Sequence, residues 1–201
     1  LAAAVLAAAG ARAALGGNIG GSLLERLDAA GAHDVAVLEL SSFMLDLLAR
    51  QGLGPDVALI TNITPNHLDR HGSFEAYKLA KQQILRRARC AVLNADDEQV
   101  VDVARGFGGQ TLWFGSDGDG DLSVDEDGNL VDRRGWVALP TSQMPLPGGM
   151  NRINLPAAAL PPAAVLGDEV APVRALPSAL AAYRLPPARL ETVGTWKGVH
   201  W

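Results

Sequence analysis

VAVLEL (Val35–Leu40) and VALITNITPNHLDRHGSFEAYKLAK (Val57–Lys81) are the two stretches that decide the fold. Each opens with a near-continuous apolar run, which is the pattern of a strand buried on both faces of a parallel sheet. Helical spacing follows each run, over Ser42–Gln51 and Ser73–Ala88. The alternation continues with strands expected at Ala91–Asn94 (AVLN) and Thr111–Phe114 (TLWF) and a helix over Asp97–Arg105. Strand–helix–strand repetition predicts an α/β fold with a mostly parallel sheet flanked by helices.

Outside this frame, LAAAVLAAAGARAAL (Leu1–Leu15) reads as the end of a buried helix, with Gly16–Gly21 (GGNIGG) as its C-cap and tight turn. The run is too short to span a bilayer, which needs about 20 apolar residues. The acidic segment Gly115–Trp136 contains Asp117, Asp119 and Asp121, but Leu122 and Gly128 stand where a calcium loop needs Gly and Glu. LSV-DEDGN-LV within it is read instead as a β-hairpin. An alanine-rich helix is expected from about Asn151. Pro156, Pro161 and Pro162 lie inside it and should either interrupt the helix or strain it. The last residues, from about Leu185, have the Pro-rich character of a linker leading into a strand.

The chain has 201 residues, a formal charge of −5 and one cysteine, Cys90. An acidic balance gives no footprint for nucleic acid. Without a partner Cys90 forms no internal disulfide, so a reducing cytoplasm is expected, with no membrane and a monomeric state.

Three groups carry chemistry. Glu39 is a lone carboxylate at the carboxyl end of an apolar strand, where burial is costly unless it is paired or bound to a metal. The carboxyl ends of strands in open α/β sheets are also where ligands bind. The alternative is a Glu capping a neighbouring helix or paired with an Arg. His67 and Asp69 follow the next strand, so Glu39 and His67 are expected at adjacent strand ends, able to share a divalent cation. Asp69, Arg70 and His71 read as turn and packing residues. Lys81 lies on the helix after them, one turn beyond Tyr77. An ordinary helical lysine is a solvated cation, and one facing a metal takes part only as a neutral amine or an anionic carbamate. Ser41 and Ser42 sit where helix N-caps stand.

In chain order GNIG (Gly17–Gly20), LELSSFML (Leu38–Leu45), Thr61–Lys81, LNADD (Leu93–Asp97) and LPGGMNRIN (Leu146–Asn154) resemble the Mur ligase family of peptidoglycan synthesis. LELSSF resembles the members that add D-glutamate to UDP-N-acetylmuramoyl-L-alanine. The resemblance implies the central P-loop-type ATPase domain of such a ligase over residues 1–184, with a hinge and the start of a C-terminal domain over 185–201. It implies ATP and Mg2+, an acyl phosphate formed on the substrate carboxylate, and amide formation by the incoming amino acid. Glu39, His67 and Lys81 are then the metal-site residues, with Lys81 the lysine that the family carbamylates. Asn18 and Ser41 match positions near the muramoyl substrate, Asn151 and Asn154 the pair near adenine, and Arg189 the hinge arginine. The phosphate loop GxxxxGK[ST] is absent from these residues, so a central-domain fragment without ligase activity of its own is expected. Asn66 stands where the family usually carries an acid before the histidine. A sibling ligase, a folylpolyglutamate synthase-like enzyme, or a non-catalytic module without the phosphate loop are the alternatives.

Overall fold

The computed structural model describes residues 1–19, 23, 35–116, 120–133, 137–141, 149–183, 195–196 and 199–200; for 137–138, 149–152 and the last two pairs it gives the backbone alone. The elements are α1 (Ala2–Ala8), β1 (Ala13–Gly17), β2 (Val35–Glu39), α2 (Ser42–Arg50), β3 (Val57–Ile60), α3 (Leu68–His71) and α4 (Phe74–Gln82). They continue with β4 (Cys90–Asn94), α5 (Glu98–Ala104), β5 (Gln110–Ser116), β6 (Leu122–Val124), β7 (Asn129–Asp132) and β8 (Val137–Pro140). The long helix α6 (Gly149–Leu166), α7 (Ala171–Ala182) and the short strands β9 (Thr195–Trp196) and β10 (Val199–His200) complete the order.

Strands β3 to β8 form one six-stranded sheet in chain order. Its pairings are parallel from β3 through β6 and antiparallel from β6 through β8. β4 shows why its sequence reads as a continuous apolar run. Val92 enters a cluster with Val5, Phe114, Leu155 and Leu176, whereas Ala91 and Leu93 enter another with Ile60, Tyr77 and Val100. Successive side chains of a strand point to opposite faces, and here both faces are covered. Helices α1, α6 and α7 cover one face and α4 and α5 the other. Each fully buried Leu or Phe in these clusters contributes about 1.5–3 kcal/mol by leaving water.

The hairpin is found as read, with β6 and β7 antiparallel and Val124 opposite Leu130. Gly128 takes φ +78 in its turn, and Asp125 Oδ1 accepts from Asn129 N at 2.6 Å. Asp121 is structural: its Oδ2 accepts from Trp113 N and its Oδ1 pairs with Arg133, both at 2.7 Å. Asp117 and Asp119 lie outside the described residues.

Three expectations change. The first concerns the N-terminal run, which is not one helix. Gly10 at φ +89 follows α1, and Ala13–Gly17 then extends as β1, parallel to β2. Pairing to β2 supplies the hydrogen bonds that low strand propensity in AALGG gave no sign of. The second concerns α6, which runs unbroken through Pro156, Pro161 and Pro162. A proline inside a helix costs about 3 kcal/mol or more. Here the helix packs against α1, α7 and strands β3 to β6, and Pro156 and Pro162 are fully buried, so tertiary packing holds the turns that lose N–H bonds. The third concerns β2, which is not buried on both faces. Its Leu38 is 46 % exposed, and the β1–β2 pair forms a ladder separate from the six-stranded sheet.

The expected domain boundary near Leu185 falls outside the described residues. Among the described residues no helix is long and apolar enough to cross a membrane.

Candidate functional site

The site residues gather where β2 gives way to α2 and where β3 gives way to α3 and α4. Gly17 closes β1 with φ +92, a conformation that favours glycine. A Cβ there would lie 2.3 Å from Glu39 O, so the close approach of the two strand ends requires glycine. Asn18 then donates its backbone N–H to Glu39 O at 2.8 Å and its side-chain Nδ2 to Glu39 Oε1 at 3.3 Å. Thus Asn18, read from sequence as approaching substrate, also orients the Glu39 carboxylate. Glu39 is exposed rather than buried, so the cost that singled it out is not incurred here.

Ser41 N-caps α2, its Oγ accepting from Met44 N at 3.3 Å. Ser42 is 3 % exposed, and its Oγ lies 2.9 Å from His71 Nε2. Helix α2 packs on α4, and this contact, not strand pairing, brings the two stretches together. The adjacent-strand-end expectation is corrected accordingly: β2 pairs with β1, β3 pairs with β4, and the described residues show no ladder between β2 and β3.

His67 precedes α3 in the left-handed region, with φ +50. It is the one described non-glycine residue with positive φ. Asn66 Oδ1 accepts from His67 N at 2.9 Å, so the residue standing in place of the family's acid fastens the backbone of His67. The His67 ring lies 5.5 Å from Phe43, and the Arg70 guanidinium carbon sits 4.8 Å above the same Phe43 ring. Asp69 is exposed on α3.

The two lysines of α4 have opposite environments. Lys78 pairs with Asp102 at 2.9 Å and Glu75 at 3.0 Å, and the hydrogen bond to Asp102 above all raises its pKa. Lys81 turns elsewhere, with Nζ 5.9 Å from the centre of the Tyr77 ring. Burial lowers its pKa, and the nearby Glu39 carboxylate pulls it partly back up. A lysine held this way reaches the neutral amine more readily than a solvated one.

Among the described residues no group of three His, Cys, Asp or Glu side chains is placed to hold a metal alone. Of the three residues named from the sequence, the Glu39 carboxylate is the donor type that suits a hard divalent cation, His67 offers an imidazole nitrogen, and Lys81 could join them only in an anionic form.

A cleft of about 590 Å³ opens at the carboxyl ends of β3, β4 and β5, lined by Thr61, Asn94, Asp96, Asp97, Phe114 and Asn154 among others. Asn94 Nδ2 donates to Thr61 O at 2.8 Å, tying two strand ends together. Asp96 Oδ2 accepts from Ser116 N at 2.8 Å, and Asp97 caps α5. The motif LNADD marked this segment in the sequence without assigning these roles. Asn154 also lines this cleft. Asn151 lies on α6, its side chain outside the described residues, and Arg189 is wholly outside them. A second groove of about 470 Å³, lined by Ala8, Asp168, Arg174 and Ser178, lies between α1 and α7, apart from these residues.

Residues 3–161 match the family described as the Mur ligase middle domain. The UDP-N-acetylmuramoylalanine–D-glutamate ligase of Koribacter versatilis is 35 % identical over 204 residues, covering 98 % of this chain and 44 % of that protein. The UDP-N-acetylmuramoyl-L-alanine–L-glutamate ligase of Xanthomonas euvesicatoria pv. vesicatoria is 36 % identical over 199 residues, covering 98 % of this chain and 41 % of that protein. Among solved structures, a MurF ligase from Thermotoga maritima in complex with ADP superposes with a TM-score of 0.65 at 20 % identity, covering 92 % of this chain and 45 % of that one. This chain thus spans less than half the length of the curated relatives it matches. The mostly parallel sheet between two helical layers, the ordered motifs and the match over residues 3–161 agree: the chain belongs to the Mur ligase family, as a middle domain.

Proposed function

We propose that this domain serves an ATP-dependent ligase that joins D-glutamate to UDP-N-acetylmuramoyl-L-alanine in peptidoglycan precursor synthesis. The reading is carried by one finding above the others: over 98 % of its length the chain is 35 % identical to a protein named for this reaction, and a half-buried Lys81 lies near Glu39 in it. Glu39 and His67 would hold Mg2+, completed by Lys81 once its neutral amine has added carbon dioxide to form a carbamate. The cation supplies charge neutralisation for phosphate oxygens when bound. The γ-phosphoryl group passes from ATP to the substrate carboxylate, giving ADP and an acyl phosphate. The amine of glutamate then attacks the acyl carbon, the amide forms and phosphate leaves.

The cleft at the ends of β3, β4 and β5 takes the adenine end of ATP. Among the described residues its lining includes Asp96, Asp97 and Glu98 and no lysine or arginine, which suits an uncharged base rather than a triphosphate. Asn154 and Asn94 offer amide donors and acceptors to such a base, and the proposal assigns Asn151 and Arg189 to the same nucleotide. Asn18 and Ser41 face the muramoyl substrate beside Glu39. The division into a central domain over 1–184 and a C-terminal start over 185–201 belongs to the same proposal, as do a cytoplasmic location and a monomeric state.

One observation favours a second reading. A relative of equal similarity is named for L-glutamate, so the stereochemistry of the acceptor is open to test. In the polypeptide that carries this domain, phosphate release from ATP is expected to require both UDP-N-acetylmuramoyl-L-alanine and D-glutamate. Release with L-glutamate and not D-glutamate establishes the second reading, and release with neither refutes both.

A further inference from the structure

His71 reads from the sequence as a turn and packing residue, and its ring is the meeting point of three helices. Its Nε2 lies 2.9 Å from Ser42 Oγ at the start of α2. Its ring stacks on Phe43 with centroids 5.1 Å apart and planes inclined by 7°. On its other side the edge of Tyr77 approaches, at 5.4 Å and 70°. Phe43 in turn touches the His67 ring, and Tyr77 lies under Lys81 Nζ. The contacts run from His67 through Phe43, His71 and Tyr77 to Lys81.

The need for such a bolt follows from the local structure. Helix α3 has four residues, no buried side chain, and an N-terminal residue in the left-handed region without a side-chain cap. An isolated turn of this length is unstable in water. Something outside it must hold His67 in place, and stacked or edge-on aromatic pairs with a half-buried hydrogen bond are suited to that. Ser42 at 3 % exposure and Tyr77 at 7 % are firmly seated, so His71 anchors a weak element to two strong ones.

We infer that His71 is a positioning residue for the proposed metal site: it holds α3 against α2 and α4 and so fixes where His67 stands relative to Glu39 and Lys81. This rests on the metal-site reading above. His71 touches neither substrate nor cation in this role and acts through Phe43, Ser42 and Tyr77. Hydrogen-bonded and packed neighbours of metal ligands commonly alter affinity without contacting the ion.

The test uses the 201-residue chain, with Mn2+ as the probe, and reads two signals by NMR. One is the contact between His67 and Phe43 ring protons. The other is the paramagnetic broadening of His67 by Mn2+. His71→Ala is expected to lose the ring contact and to need about tenfold or more Mn2+ for equal broadening. His71→Gln places an amide nitrogen where Nε2 stood and is expected to recover part of both signals. Ser42→Ala removes the partner at the other end, and its combination with His71→Ala is expected to weaken Mn2+ binding no further than His71→Ala alone. Unchanged ring contact and unchanged broadening in both His71→Ala and Ser42→Ala overturn the inference. So does full additivity of the two substitutions. A wild-type chain in which Mn2+ does not broaden His67, while His71→Ala still loses the ring contact, refutes the metal reading and with it the positioning role.

Discussion

Asp97 links the site loop to the body of the domain, and removing its carboxylate should be costly. Its Oδ1 accepts from Gln99 N at 2.9 Å and Val100 N at 3.0 Å, which caps α5. Its Oδ2 accepts from Ile63 N at 3.0 Å, at the head of the loop that leads to His67. Loss of an N-cap costs about 1 kcal/mol. Loss of a charge-assisted bond to the amide of a buried residue costs about 1.5–3 kcal/mol. Ile63 is 2 % exposed, so water does not readily replace the carboxylate there. Asp97→Ala should therefore destabilise by about 3 kcal/mol, since the two losses act on different elements. In a chain of this size that lowers the melting temperature by about 6–12 °C. Asp97→Asn keeps one acceptor oxygen for the cap and surrenders the bond to Ile63, so it should cost about 1 kcal/mol less than Asp97→Ala. Urea unfolding with m held constant measures both. A loss below about 1 kcal/mol for Asp97→Ala would refute the linkage, because neither bond would then contribute its ordinary amount.

Three further outcomes test the site. Gly17→Ala forces a Cβ to within 2.3 Å of Glu39 O at a backbone φ of +92, and should destabilise by at least about 1–3 kcal/mol while displacing Asn18 from Glu39; thermal melting at the wild-type temperature would contradict it. For Lys81, burial lowers the folded pKa while the unfolded chain keeps the ordinary value of about 10.4. Between the two values the unfolded state binds more protons, so wild-type stability should rise with pH there, and Lys81→Met, which leaves Glu39 and Tyr77 in place, should lack that rise. Parallel stability curves for the two proteins rule it out. In the polypeptide that carries the domain, Lys81→Ala should lose turnover and regain part of it with added short carboxylates, and wild-type rates would remove the carbamate role.

The sequence by itself determined the central sheet. VALI and CAVL carry apolar residues at every position, and strands covered on both faces bury such runs, as the two clusters about β4 confirm. The β6–β7 hairpin was equally legible, because Asp-Gly turn chemistry is local. So were the N-cap of Ser41 and the chemical type of Glu39, His67 and Lys81, which depend on residue identity and spacing. Tertiary structure alone decided the rest. Ala13–Gly17 has no periodicity of its own and becomes a strand only because β2 lies beside it. Three prolines stay within α6 because packing from both neighbouring helices and the sheet outweighs the bonds they remove. The stretches that carry Glu39 and His67 meet through the packing of α2 on α4 rather than through paired strands, and no local pattern encodes a helix contact across that distance. The same holds for His71, whose partners Ser42 and Phe43 lie on another helix. It holds also for the lowered pKa of Lys81, since desolvation is a property of what surrounds a side chain and not of the side chain itself.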